Sequence, residues 1–194
     1  INTLSSLLNE NVLLVSIMLA NNEIGSIQPL KSITKLVHNV GAIMHTDAAQ
    51  GPTNDAIDVE ELGIDLMSLS AHKMYGPKGI GALYIRNGME TNLDPIICGG
   101  GQENGLRSGT LPTPLCVGFG AASKLIKSEN STFVNKTKCI RDLFFHECKK
   151  LDTTIKLIGP QLEQRHAANL SLLFEDYDAE DLISIMQPNL AVST

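Results

Sequence analysis

Six residues of this sequence, Asn22, Asp47, Gln50, Ser70, His72 and Lys73, have types and spacings that can do chemistry together. A lysine amine, once deprotonated, forms a Schiff base with a carbonyl compound. A carboxylate such as Asp47 can hold a pyridine nitrogen protonated, which makes the ring an electron sink. Gln50, three residues further on, can donate a hydrogen bond to a phenolic oxygen across such a ring. Ser70 and His72 can donate to phosphate oxygens, and Asn22 can orient a cofactor oxygen or a substrate carboxylate. Each residue also has a plainer reading. Lys73 and Lys78 can be solvated turn lysines, Asp47 a local cap, and His45 and His72 partners of buried backbone groups. Cys98 reads most simply as a small buried thiol at the end of a strand.

The elements that must position these residues decide between the readings. Asn11 to Ala20 is almost continuously apolar, as suits a parallel strand covered on both faces, and polar Asn21-Asn22-Glu23 ends it. After Pro29, residues Leu30, Ile33, Val37 and Val40 share one face of a helix that Gly41 stops. Ala42 to His45 make a second strand, Val59 to Leu62 a brief helix, and Asp65 to Leu69 a third strand. Gly79 to Ile85 make a fourth. This alternation predicts an α/β fold with a mainly parallel central sheet covered by helices. In such a sheet the C-terminal strand ends lie on one edge, where ligands bind. The Asn22, Asp47 and Lys73 loops are therefore expected to converge, and the glycine-rich loop ending at Thr110 can complete the rim. Helices are expected over Pro112 to Lys127 and Val134 to Lys150. Asn169 to Phe174, Ala179 to Met186 and Leu190 to Val192 read as strand, helix and strand. Gly159-Pro160 marks a soft boundary between a large-domain portion, 1–158, and the start of a smaller α/β domain, 159–194.

Composition narrows the function classes. The 194 residues carry a formal net charge of −6 and no basic run, which argues against nucleic acid as the primary ligand. No apolar segment reaches transmembrane length, so no membrane partner is expected. Four cysteines without CxxC spacing read as reduced cytosolic thiols. No paired His/Cys cluster points to a metal, and GPKGIG at 76–81 lacks the full phosphate-loop pattern. Ile1 and Thr194 read as the ends of a fragment.

Four stretches carry a resemblance: LANNEIGSIQP at 19–29, MHTDAAQ at 44–50, DLMSLSAHKMYGPKGIGALYIR at 65–86 and GGGQENGLRSGT at 99–110. In this order they resemble the cysteine desulfurases and selenocysteine lyases, class V aminotransferase-like enzymes of pyridoxal-phosphate fold type I. The resemblance continues more weakly through RHAANLSLLF at 165–174 and spans nearly the whole chain. It implies pyridoxal 5′-phosphate as cofactor, with Lys73 as the Schiff-base lysine. It further implies Asp47 on the pyridine nitrogen, Gln50 on the phenolic oxygen, and Asn22 near cofactor and substrate. Ser70 and His72 resemble the phosphate-binding pair. Thr110 resembles a phosphate contact supplied across a homodimer. The implied fold is the family's large domain beside a smaller one.

For function, the resemblance implies conversion of L-cysteine to L-alanine, with sulfur passing to an enzyme cysteine as a persulfide. None of Cys98, Cys116, Cys139 or Cys148 matches that nucleophile, whose family position follows the segment matched by AVST. The substrate-binding arginine and a cofactor-stacking histidine likewise fall outside the matched residues, so the fragment is expected to be inactive alone. Possible partners are a sulfur acceptor or an iron–sulfur scaffold protein, and the implied location is cytoplasmic, with an organellar one open. Rival readings are a selenocysteine lyase acting on L-selenocysteine, another fold-type I aminotransferase or decarboxylase, and a non-enzymatic cofactor-binding or sulfur-transfer scaffold.

Overall fold

A computed structural model describes residues 1–90 and 93–193. A short helix that the sequence pattern did not announce, α1 (Asn2–Leu7), comes first, and its Leu4 packs with Leu8 against the core. The apolar run after Asn11 gives β1 (Leu14–Met18). Pro29 then starts α2 (Leu30–Asn39), which buries Leu30, Ile33, Thr34 and Val37 along one stripe. The chain returns as β2 (Ile43–Asp47), and Asp58 caps α3 (Val59–Leu62) by accepting from the Glu60 and Glu61 amides. Next come β3 (Leu66–Ser70), a single 3-10 turn at Ala71–Met74, and β4 (Gly81–Ile85).

The four strands form one sheet in the order β1-β2-β3-β4. The first two pairings are parallel, as the helical connections require, and β4 returns antiparallel on β3. Leu30, Ile33 and Val37 meet Ala42, Met44, Ala48, Ile64 and Met67 to make the core on one face of this sheet. The expectation that β1 is covered on both faces does not hold here. Among the described residues it is an edge strand, and Leu13 and Leu14 are exposed.

Two helices expected between Pro112 and Lys150 are one, α4 (Thr113–Leu151). Ser128 to Phe133 contain neither glycine nor proline, so nothing interrupts the hydrogen-bond ladder between the two apolar patterns. Gly118 sits within this helix because Pro77 presses against it; a Cβ there would lie 3.1 Å from the proline ring. Beyond it, β5 (Lys156–Leu157) pairs antiparallel with β6 (Leu172–Leu173). The strand expected over Asn169 to Phe174 thus shrinks to two residues. Asp178 caps α5 (Ala179–Met186), where the pattern placed a helix. The strand expected at Leu190 to Val192 does not form, since no neighbouring edge offers it a ladder among the described residues. Thr194 lies outside them.

One buried carboxylate ties these layers together. Asp65, at the entry to β3, accepts from the Met44 amide at 2.8 Å and lies 2.7 Å from His38 Nε2. It also pairs with Arg86 Nε at 3.0 Å, just after β4, while Arg86 Nη2 donates to the Ile64 carbonyl. A single side chain therefore joins α2, β2 and the end of β4. Replacing it with alanine strands a buried amide and the guanidinium, a loss of about 3 kcal/mol. Urea denaturation of Asp65→Ala in the full-length protein should show that loss; one below about 1 kcal/mol would deny the carboxylate this role.

Candidate cofactor site

Parallel pairing places the three strand ends side by side. Met18 lies opposite Asp47, and Asp47 opposite Ser68, two residues before Ser70. Side chains alternate along a strand, and partners in a parallel pair share a face. Met44 and Thr46 are buried, so the β2 residues between them and after them, His45 and Asp47, face away from α2. A 2.7 Å hydrogen bond between His45 Nδ1 and Ser16 Oγ, its register partner, confirms this face. Ser68 and Ser70 follow Asp47 onto it. The convergence expected of the Asn22, Asp47 and Lys73 loops is therefore present at the level of the sheet edge.

Local hydrogen bonds shape each loop. Asp47 Oδ1 accepts from the Ala49 amide at 2.8 Å, and Asp47 has no ion-pair partner among the described residues. Its second oxygen has no hydrogen-bond or ion-pair partner among the described residues, as suits a group able to meet a cationic ring nitrogen. The Ala48–Gly51 turn then carries Gln50. Gly51 packs tightly against Leu19, whose Cδ2 would lie 2.3 Å from a Cβ placed there. After β1, Asn21 Oδ1 accepts from the Glu23 and Ile24 amides and turns the chain so that Asn22 is exposed.

The β3 loop shows the same economy. Ser70 Oγ and His72 Nδ1 lie 3.0 Å apart, so two donors suited to one anion already stand together. Lys73 is exposed, and its amine has neither salt bridge nor hydrogen bond among the described residues. The turn closes on Tyr75, whose φ of 60° is unusual for a bulky residue. Behind it, Gly76 lets the chain pass within contact of Ala122 on α4. These residues fit a pyridoxal phosphate: an amine, an unpaired carboxylate, an amide and a hydroxyl–imidazole pair, gathered at one sheet edge.

Other expected residues fall differently. Thr110 is exposed just ahead of α4, and no hydrogen bond joins it to Lys73, Asp47 or Gln50 among the described residues. Its loop is held by the Gly109 amide on Gln102 Oε1 and the Gly101 amide on Ser108 Oγ. Lys78 is exposed, which agrees with its turn reading. Cys98 is exposed rather than buried, because its glycine-rich loop lies outside the core. Burial pushes the Cys148 thiol above its ordinary value, the reverse of an activated nucleophile.

The sequence reading passed over a cluster of buried and half-buried polar residues directly behind the loops. Arg165, His166, Arg141 and Asn169 come from the quoted RHAANLSLLF stretch and from the middle of α4. Arg165 is 1% exposed, with its guanidinium on the carbonyls of Pro160 and Ile158 and on Asn169 Oδ1. His166 Nε2 lies 2.8 Å from the Gln50 carbonyl, and Arg141 donates to the carbonyls of His166 and Leu162. The available signal was an Arg-His pair directly before a short apolar strand, a place where charge is rarely tolerated unless paired.

A profile of the family described as aminotransferase class-V matches residues 1–194, and the chain belongs to that family. Within it, the chain is similar to cysteine desulfurases. It is 45% identical over 192 residues to the cysteine desulfurase IscS of Ehrlichia chaffeensis, covering 98% of this chain and 46% of that protein. Against the protein of the same name from Rickettsia massiliae it is 44% identical, covering 99% and 46%. The solved structure of a NifS-like protein superposes with a TM-score of 0.91 at 36% identity, covering 97% of this chain and 51% of that one. The NifS-like protein of Rickettsia africae gives a TM-score of 0.84 at 30% identity, covering 94% and 49%. The chain spans about half the length of the curated relatives it matches. No helix among the described residues is long and apolar enough to cross a membrane.

Burial depresses the pKa of His166, the Gln50 carbonyl partly opposes this, and Arg141 lowers it further. An unfolded chain protonates this histidine near its ordinary value of 6.5, while the folded one resists. The neutral ring's stability is thus complete above that pH and drains away as pH falls from there toward the folded-state pKa. Between pH 7.5 and 5.5 the wild type should lose more unfolding free energy than His166→Gln, measured by denaturant titration at both pH values. Equal losses would remove His166 from the balance.

Proposed function

We propose that this chain is the cofactor-binding portion of a pyridoxal-phosphate-dependent cysteine desulfurase that converts L-cysteine to L-alanine. The observation that carries the reading is the gathering of Asp47, Ser70 and the Lys73 turn at one edge of a parallel sheet. Similarity to cysteine desulfurases along 98% of the chain supports it. When bound, pyridoxal phosphate supplies an electron sink for the bond-breaking step.

The residues divide the work. Lys73 supplies the amine that holds the cofactor carbonyl and can carry a proton to and from the substrate carbon. Asp47 keeps the ring nitrogen protonated through its free oxygen, its other oxygen being fixed by Ala49. Gln50 donates to the phenolic oxygen, and Asn22 orients the cofactor or substrate from the β1 side. Ser70 and His72 bind the phosphate as donors. Thr110, exposed and unengaged by its own chain's site, fits a contact made to the phosphate of a second subunit, so the protein acts as a homodimer. The sulfur-accepting cysteine is none of the four thiols here; the elevated pKa of Cys148 suits a structural thiol. Persulfide sulfur then passes to an acceptor or iron–sulfur scaffold protein, in the cytoplasm.

Lys73 is the decisive test. In the full-length protein loaded with pyridoxal phosphate, borohydride reduction and peptide mass spectrometry should find the pyridoxyl group on Lys73. Lys73→Ala should lose that adduct and at least a thousand-fold in alanine production, roughly the scale of removing a covalent group. An adduct on Lys78, with Lys73 unmodified, would overturn the assignment. Amino transfer to an oxo acid without persulfide would replace the desulfurase reading with an aminotransferase.

A further inference from the structure

The buried cluster behind the loops has a function of its own. We propose that His166 is a positioning residue of the cofactor site: its Nε2–H holds the Gln50 carbonyl while its backbone holds Gly25, fixing both loops against one segment. The inference rests on the reading of Gln50 and Asn22 as cofactor contacts.

The ring's hydrogen bonds assign its tautomer. Nδ1 lies 3.1 Å from the Ala168 amide, which can only donate, so Nδ1 carries the lone pair. Nε2 lies 2.8 Å from the Gln50 carbonyl, which can only accept, so Nε2 carries the hydrogen. The Thr53 hydroxyl stands at 3.5 Å, a marginal second contact. Both nitrogens are committed, and the residue is 5% exposed. A ring so occupied is unsuited to proton transfer and suited to holding a carbonyl in place.

The surrounding bonds extend the same hold to two loops. The His166 amide donates to the Gly25 carbonyl at 2.8 Å. Asn169 Nδ2 donates to the Glu23 carbonyl at 2.8 Å and to that of Asn22 at 3.3 Å. Ser26 and Arg165 form an isolated bridge. On the β2 side, the Ala167 amide donates to Asn54 Oδ1 at 2.7 Å. Gly25, at φ 70°, approaches so closely that a Cβ would lie 2.4 Å from Asn169 Oδ1. Residues 165–169 therefore clasp the loop bearing Asn22 and the loop bearing Gln50, and His166 alone bonds to both.

The charges around the ring do not compete for its hydrogen. From α4, Arg141 donates to the His166 carbonyl and pairs with Asp142 at 2.7 Å. Arg165, on the same segment, turns instead to the carbonyls of Ile158 and Pro160. The loops after β1 and β2 offer His166 carbonyls and the Thr53 hydroxyl rather than carboxylates. Lowering the pH would set a second N–H against the Ala168 amide.

The test compares His166→Leu with His166→Gln in the full-length protein; glutamine retains an N–H near the Nε2 position. Without cofactor, hydrogen exchange of segments 21–26 and 48–54 should accelerate about ten-fold in His166→Leu, and stay near wild type in His166→Gln. With pyridoxal phosphate, His166→Leu should raise the cofactor Kd about ten-fold and displace the pH midpoint of bound-cofactor absorbance; His166→Gln should restore both. A lower Tm for His166→Leu with unchanged exchange, or with unchanged Kd and midpoint, would reduce His166 to a structural residue. Equal defects in both variants would overturn the role of Nε2–H. Wild type that takes up no pyridoxal phosphate would instead defeat the cofactor reading, and would take the cofactor-positioning role of His166 with it. The exchange measurement would then still decide whether His166 clasps the loops.

Discussion

The register between β2 and its two parallel neighbours is the constraint on which the site depends. Side chains alternate every residue, so a slip of one position in β2 would send Asp47 to the face that packs on α2 and bring Thr46 out. That register is held by burial. Met44 and Thr46 are fully buried, Thr46 Oγ1 donates to the Ile17 carbonyl, and Asp65 accepts from the Met44 amide. The chemistry at the end of the strand is thus fixed by packing one and three residues earlier. An unpaired carboxylate is costly in a core but tolerable at a strand end, where water or a ligand cation can reach it.

A sheet edge gives position but not stiffness, because loops leaving strand ends have few partners. Here the stiffness comes from sequence more than a hundred residues away. Arg165 and Arg141 carry buried guanidinium groups whose donors are spent mainly on backbone carbonyls, which satisfies charge and fixes chain direction together. Burial and the charge of Arg141 both pull the Arg165 pKa below its ordinary value. Burying such groups is expensive unless every donor is used. The return is a segment whose bonds reach both the loop after β1 and the loop after β2.

Much of this could be read in the sequence, and the reasons are local. The apolar stripe of Leu30, Ile33 and Val37, the Pro29 that opens its helix and the Gly41 that stops it specify their element through near neighbours. Lys73 and Asp47 stood out because each follows a predicted parallel strand, where loops converge on one sheet edge. The failures concern partners distant in sequence. Whether Leu190 to Val192 becomes a strand depends on an edge to pair with, and whether β1 is covered depends on what lies above it. The union of two expected helices into α4 turned on the absence of a breaker, a weaker signal than a breaker's presence. The Arg165-His166 pair signalled a buried polar group, but the role of His166 was not legible, since its partner is a carbonyl 116 positions earlier.

In the proposed cofactor site, Lys73 and Gln50 would meet opposite demands at one edge. Gln50 belongs to a turn whose following residues, Gly51 to Thr53, are buried and whose carbonyl is bonded from behind, so its side chain starts from a fixed base. Lys73 sits on one 3-10 turn that ends in a left-handed Tyr75, and its amine is uncommitted. An amine that must exchange one covalent partner for another needs reach and freedom. An amide that must meet one oxygen needs a set distance, and its worth falls with each tenth of an ångström of play. The fold supplies both by anchoring the β2 loop to the distant Arg165–Asn169 segment, while the Lys73 side chain stands exposed and uncommitted on a turn whose Ala71 and Met74 are buried.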